Sequence, residues 1–200
     1  MGSLKEEHAP GRALVPDQFI DRTRHRADTF FGDGLVAHVS FAEPVCPALA
    51  RVLAEAAGSA GLETTPGGTY VCMEGPQFST RAESRLYRSW GADVIGMTNL
   101  TEAKLAREAE LCYATLALVT DYDAWRESEE AVSVESVVAI LGRNAAAARR
   151  TMSEAVGRVD PDRSCGCRQA LATALLTDRG AVSGEAKSRL RPIVGKYLDA

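Results

Sequence analysis

Short apolar runs alternate along this chain with longer stretches in which apolar residues recur every three or four positions, the signature of an α/β fold. Residues 13–16, 36–40, 69–73, 93–97 and 112–119 are the expected strands. Leu49, Val52, Leu53, Ala56 and Ala57 form a helical stripe that ends near Gly58 and Gly61. A second helix should open at Thr80, where Thr80-Arg81-Ala82-Glu83 fits a capping box, and close at Gly91. A third is expected over 102–110. The fourth is long: Ser133 is the expected N-cap, Val134, Val137, Val138, Leu141 and Ala145 make one face, and the alanine-rich run 144–150 favours helix.

The character changes around 159–166. Asp160-Pro161-Asp162 breaks the helix, and Ser164-Cys165-Gly166-Cys167 reads as a turn. Two amphipathic patterns follow, near 169–176 and 184–198, and Pro192 should kink or divide the second. The expected organisation is an α/β domain over 1–158 and a helical tail over 159–200.

Composition excludes more than it proposes. At 200 residues, 46% hydrophobic and 25% charged, the chain can bury one real core. Its net charge of −4, with basic residues scattered among acids, argues against nucleic acid as a partner. The first residues are charged and lack the apolar stretch of a signal peptide, and Glu6 stands where a myristoylation motif needs Ser or Thr. No run of about 18 apolar residues offers a membrane span. Of the cysteines, Cys46, Cys72 and Cys112 lie in apolar surroundings and read as reduced, buried thiols, so a cytoplasmic location is expected. Cys165-Gly166-Cys167 is open to three readings: a strained redox disulfide, part of a metal site, or an unpaired tail. No other Cys or His lies near it in sequence, which counts against zinc.

Three segments carry candidate chemistry, each at a strand end, where open α/β sheets collect ligands. Met73-Glu74-Gly75-Pro76-Gln77-Phe78-Ser79-Thr80 sets Phe78 at a pocket mouth, although a purely structural turn would look the same. Val94-Ile95-Gly96-Met97-Thr98-Asn99 ends a strand on small, soft and hydroxyl side chains. Val119-Thr120-Asp121-Tyr122-Asp123 carries two acids that extended backbone would turn to one side. Such a pair can supply one proton donor and one acceptor, or it can simply cap the loop leading to the acidic run 127–130.

Taken together, these segments closely resemble the methylthioadenosine phosphorylase branch of the purine nucleoside phosphorylases. The likeness runs from Gly2 to about Ala155. It is carried by Asp17 to Thr23, Ala42-Glu43-Pro44, Met73 to Ser84, Trp90 to Thr98, Glu102, Ala106 to Ala109, and Thr120-Asp121-Tyr122-Asp123-Ala124-Trp125. The resemblance implies phosphorolysis of a purine nucleoside through an oxocarbenium-like transition state, with phosphate as co-substrate and no metal or organic cofactor. It implies Asp121 at the purine N7 and Asp123 at the exocyclic amine of adenine. Phe78 would stack on the base, Met97 would hold the ribose, Thr98 would contact phosphate, and Ser79 and Thr120 would make further substrate contacts. His38 would reach the 5′-substituent bound by a neighbouring subunit of a homotrimer, although a structural histidine would serve as well.

Relatives of this type carry a Gly-rich turn, an Arg-His pair and a Thr-Ala step before the Gly-Ser-Leu that stands here at 2–4. The expected fold is therefore a partial phosphorylase-like sheet flanked by helices, with the N-terminal strands missing, weak phosphate binding and impaired activity. Arg24-His25 does not align with the missing pair. A phosphorylase for methylthioinosine or ordinary purine nucleosides, and a non-catalytic nucleoside-binding remnant, are the competing expectations.

Overall fold

The computed structural model describes residues 1–126, 134–162 and 164–198. The strands are β1 (Gly2–Ser3), β2 (Ala13–Val15), β3 (Gln18–Arg22), β4 (Thr64–Pro66), β5 (Thr69–Met73), β6 (Val94–Gly96), β7 (Ala117–Leu118) and β8 (Asp121–Tyr122). The helices are α1 (Pro47–Ser59), α2 (Arg81–Ser89), α3 (Leu100–Glu108), α4 (Val134–Arg158) and α5 (Gly184–Leu198). The strands form two sheets: five strands in the order β3-β5-β6-β1-β8, and three in the order β4-β2-β7. In the larger sheet β3, β5 and β6 run parallel, while β1 is antiparallel to β6 and parallel to β8.

Local chemistry explains several boundaries. Pro47 starts α1, where a missing N–H costs nothing, and Gly61 beyond its end takes a φ of +75°. At α2 the Thr80 hydroxyl accepts from Glu83 N while Glu83 Oε2 accepts from Thr80 N, the reciprocal box expected from sequence. The third helix begins two residues before its expected start, because Glu102 Oε2 accepts from Asn99 N and closes the first turn there.

Tertiary context overrules the pattern in six places. Residues 36–40 form no strand: Ala37 makes one isolated bridge to Leu175, and Leu35, Ala37 and Val39 instead cover a cluster built by the tail. Of 112–119 only Ala117–Leu118 is strand. β1, β3, β4 and β8, each too short or too exposed to show an alternating pattern, went unread. Residues 169–176 are not a helix but a 3-10 turn over Gly166–Gln169 followed by further turns, and α5 runs through Pro192 as one helix.

The sixth place is α4, where the apolar face is not the buried one. Val138, Leu141 and Ala145 are exposed, whereas Asn144, Ala147, Thr151 and Ala155 are buried. Small side chains let α4 lie close against α1, with Ala147 near Ala57 and Ala155 near Leu53 and Ala56. Asn144 Nδ2 donates to Val119 O, just beyond β7, at 3.0 Å. Ser133 and the run 127–130 lie outside the described residues, as do the side chains of Val134 and Val137.

The main core joins Leu14, Tyr70, Cys72, Val94, Leu100, Ala117 and Val119 beneath both sheets. A second cluster unites Leu171, Ala174, Val182, Ala186, Leu190 and Val194 of the tail with Leu35. Glu110 fastens the tail: its carboxylate accepts from Lys196 Nζ at 2.6 Å, Tyr197 Oη at 2.6 Å and Leu171 N at 3.0 Å.

Asp93, buried at the head of β6, is the polar anchor of the larger sheet. Its Oδ1 lies 2.6 Å from Lys5 Nζ and 3.1 Å from His8 Nε2, and its Oδ2 accepts from Thr69 N at 2.7 Å. Burial alone would raise this carboxyl, but the bonds from Lys5, Thr69 and His8 outweigh it and hold the group below the usual carboxylate range. The stability it contributes is thus fully present above about pH 4, where the unfolded carboxyl is also ionised, and is lost as pH falls through the lower folded value. Asp93→Ala is expected to cost about 2–4 kcal/mol at neutral pH, because three donors lose one acceptor. Urea unfolding of both proteins should show this gap narrowing towards pH 3; a gap that does not depend on pH would refute the assignment.

Candidate active site

The carboxyl ends of β5 and β6 meet the starts of β1 and β8 around a cavity of about 640 Å³. Its wall includes Gly2, Tyr70, Met73, Phe78, Ser79, Ile95, Gly96, Met97, Thr98, Thr120, Asp121, Tyr122, Asp123 and Leu141. Seven of the residues singled out from sequence (Phe78, Ser79, Met97, Thr98, Thr120, Asp121 and Asp123) therefore border one space. The eighth does not. His38 lines a separate hollow with Phe31, Phe41, Lys104 and Glu108.

The acidic wall is built by strand pairing. Gly2 pairs with Asp121, and Asp123 N donates to Ser3 O at 2.9 Å, so β1 fixes the backbone of both acids. Gly2 also makes room: a Cβ there would lie 3.3 Å from Asp123 Cβ. Asp121 Oδ1 accepts from the Thr120 hydroxyl. Asp123 is only 9% exposed, and its Oδ2 is buried with no hydrogen-bond partner among the described residues. A buried acceptor left unpaired costs about 1–3 kcal/mol, more when charged, so this oxygen marks where a donor on a ligand would be rewarded.

The opposite wall is soft and aromatic. Phe78 is 84% exposed at the mouth, the position of a ring waiting for a planar partner. Gly75 has a φ of +73°, and a Cβ there would come within 2.7 Å of Met97 Sδ, so glycine serves both the turn and the approach of Met97. Gly96 admits the buried Tyr70 ring, whose hydroxyl would lie 2.0 Å from a Cβ at that position. Burial pushes the Tyr70 phenol well above its ordinary value, so it stays a neutral part of the wall.

Some contributors were invisible in the sequence. Arg26 reaches over the two strand ends, donating to Met97 O at 2.5 Å, Glu74 O at 2.8 Å and Met73 O at 3.2 Å, and so holds the two loops in register. Trp125 Nε1 donates to Ser3 O at 2.8 Å, Trp125 N donates to Ser84 Oγ at 3.1 Å, and the Arg88 guanidinium lies 3.5 Å from the centroid of the Trp125 ring. These contacts clamp the acid-bearing segment onto α2. Neither Arg26 nor Tyr70 stands in a pattern that distinguishes it from an ordinary surface or core residue.

Residues 1–157 match the model of a family described as the phosphorylase superfamily. The chain belongs to the phosphorylase superfamily. It is 58% identical over 198 residues to an S-methyl-5'-thioadenosine phosphorylase of Koribacter versatilis, a match covering 99% of this chain and 68% of the relative. The corresponding figures for an enzyme of the same name from Geobacter sulfurreducens are 55%, 99% and 70%. Among solved structures, a methylthioadenosine phosphorylase from an Antarctic soil metagenomic library superposes with a TM-score of 0.92 at 48% identity, covering 96% of this chain and 68% of that one. A Schistosoma mansoni methylthioadenosine phosphorylase in complex with adenine gives a TM-score of 0.78 at 33% identity, covering 86% and 70%. The phosphorylase fold expected from sequence is thus the fold of this family. No helix among the described residues is long and apolar enough to cross a membrane.

Proposed function

We propose that this chain acts on S-methyl-5'-thioadenosine, with phosphate attacking the anomeric carbon to release adenine and 5-methylthioribose 1-phosphate. The observation that carries the reading is the buried, unpartnered Oδ2 of Asp123 beside Asp121, in a cavity with Phe78 at its mouth. The names of the relatives, and the adenine in the Schistosoma complex, support the choice of purine.

On this reading the glycosidic bond breaks ahead of full bond formation to phosphate, and positive charge builds on the ribose. The base then leaves with a lone pair that must be protonated or hydrogen-bonded. Asp121 serves N7 and takes up that role, held in direction by the Thr120 hydroxyl. Asp123 accepts from the exocyclic amine. Phe78 stacks on the base as the site fills, Met97 packs under the ribose, and Ser79 and Thr98 present hydroxyls to the sugar and phosphate side. Alignment of the reacting atoms contributes the remainder. Phosphate is the co-substrate, and the reaction draws on no organic cofactor. The working form is a cytoplasmic homotrimer, in which His38 reaches a neighbouring subunit's site.

Calorimetry with methylthioadenosine, with and without phosphate, tests this together with chromatographic detection of adenine. The expected result is nucleoside binding that phosphate strengthens and adenine release that requires phosphate. Binding indifferent to phosphate, with no release, would identify a nucleoside binder without turnover. Absence of any binding would sink the assignment.

A further inference from the structure

Four cysteines from three distant parts of the chain converge in the fold. Cys46 precedes α1, Cys112 follows α3, and Cys165 and Cys167 flank the glycine that opens the tail's 3-10 turn. Their four Sγ atoms all lie within 4.8 Å of one another. The backbone sets two of them independently of the others, since Cys46 N donates to Tyr113 O at 2.8 Å and draws the start of α1 against residues 112–113. Cys46 and Cys167 are buried, while Cys112 and Cys165 are half-buried, so the cluster is closed on one side and reachable from the other.

We propose that these four side chains form a structural tetrathiolate site for zinc that fastens the tail to the α/β body. Zinc bound to four thiolates at about 2.3 Å places the sulfurs about 3.8 Å apart along the edges of a tetrahedron, a spacing the observed cluster meets with small adjustments. The alternative pairing into disulfides needs sulfurs about 2.05 Å apart, and Cys112 Sγ and Cys165 Sγ stand 3.3 Å apart. The Cys-Gly-Cys pair alone offers too few ligands for zinc; the fold supplies the other two from 53 and more residues away. Binding is an acid–base event without electron transfer: each ligating thiol gives its proton to solvent as its sulfur takes a coordination position.

The site has a structural purpose on the page. Residues 171–194 complete the second core with Leu35, yet the chain enters that region through the break at Asp160-Pro161-Asp162. A metal at 165 and 167 would close that entry against the body.

The test uses the full chain purified under reducing conditions, loaded with zinc and dialysed against metal-free buffer. Elemental analysis should give one zinc per chain, and cobalt(II) in its place should give thiolate charge-transfer absorption with the strong visible bands of a tetrahedral site. Cys46→Ser and Cys167→Ser should each lower zinc occupancy at least tenfold, whereas Cys72→Ala, at the cysteine outside the cluster, should leave it unchanged. If either variant fails to fold, thiol titration of the wild type decides: the four thiols should resist alkylation until a chelator is added. Substoichiometric zinc, loss of four hydrogens in the intact mass of the non-reduced protein, or alkylation that ignores the chelator would each overturn the proposal.

Discussion

Replacing Asp123 by asparagine is expected to lower kcat/KM for adenine nucleosides about 100-fold and to raise the relative rate on 6-oxopurines. The carboxylate can only accept, and its buried Oδ2 has no partner among the described residues. A 6-amino group satisfies that oxygen; a 6-oxo group meets it acceptor to acceptor and leaves both unpaired. Sites built around a specific hydrogen bond reject an analogue that lacks it by large factors, about 10⁴ or more where the groups are fully buried. Asp123 retains some access to solvent, so a smaller factor applies, and 100-fold corresponds to about 2.7 kcal/mol. Asparagine keeps the shape but can turn its NH₂ to the ligand, which reverses the preference. Measuring kcat/KM for methylthioadenosine and methylthioinosine with both proteins checks this. A selectivity ratio unchanged by the substitution would place the amine elsewhere and remove the basis for reading adenine into the site.

Gly96→Ala should be the most disruptive single methyl group in the strand ends. A Cβ at 96 would lie 2.0 Å from Tyr70 Oη and 2.9 Å from Tyr70 Cζ, and the ring has little room to retreat. Tyr70 is fully buried, packs edge-on against Phe19 at 5.8 Å and shares the main core with Leu14, Val94 and Val119. Overpacking of this kind costs about 1–3 kcal/mol and sometimes more, which for a chain this long lowers Tm by roughly 2–12 °C. Because Tyr70 also borders the cavity, nucleoside affinity should fall with stability. Adding Tyr70→Phe removes the closest atom but leaves the 2.9 Å contact, so the double variant should recover part of the loss. Thermal unfolding of the two single variants and the double variant measures that coupling. A Gly96→Ala protein that melts with the wild type would mean that the close approach of ring and strand is not the true packing.

Much of the site was legible because its chemistry is concentrated in three short segments that end strands. The residues 73–80, 94–99 and 119–123 keep their sequence order, and backbone geometry alone turns their side chains to one end of a sheet. Residues 36–40 show where such reading stops. Their apolar pattern suggested a strand, yet Ala37 and Val39 pack against the cluster built by residues 171–194, and Ala37 makes one isolated bridge to Leu175. The long helix α4 fails for a related reason. Periodicity identifies a helix with certainty of type, but which face is buried depends on how closely the partner helix approaches, and α1 selects the alanines over the larger side chains.

The sequence by itself determined the α/β class and the capping box at Thr80 and Glu83, because each follows from contacts within a few residues; the roles of Asp121, Asp123 and Phe78 were implied by the family resemblance, since spacing alone left a loop cap and a plain turn open. Only the tertiary structure decided that β1 positions both acids, that Arg26 ties two loops together, that Tyr70 needs a glycine opposite it, and that Cys46 and Cys112 join the Cys165–Cys167 pair. Those arrangements join residues tens of positions apart. No local preference encodes them; they arise when burying the shared core brings the segments together.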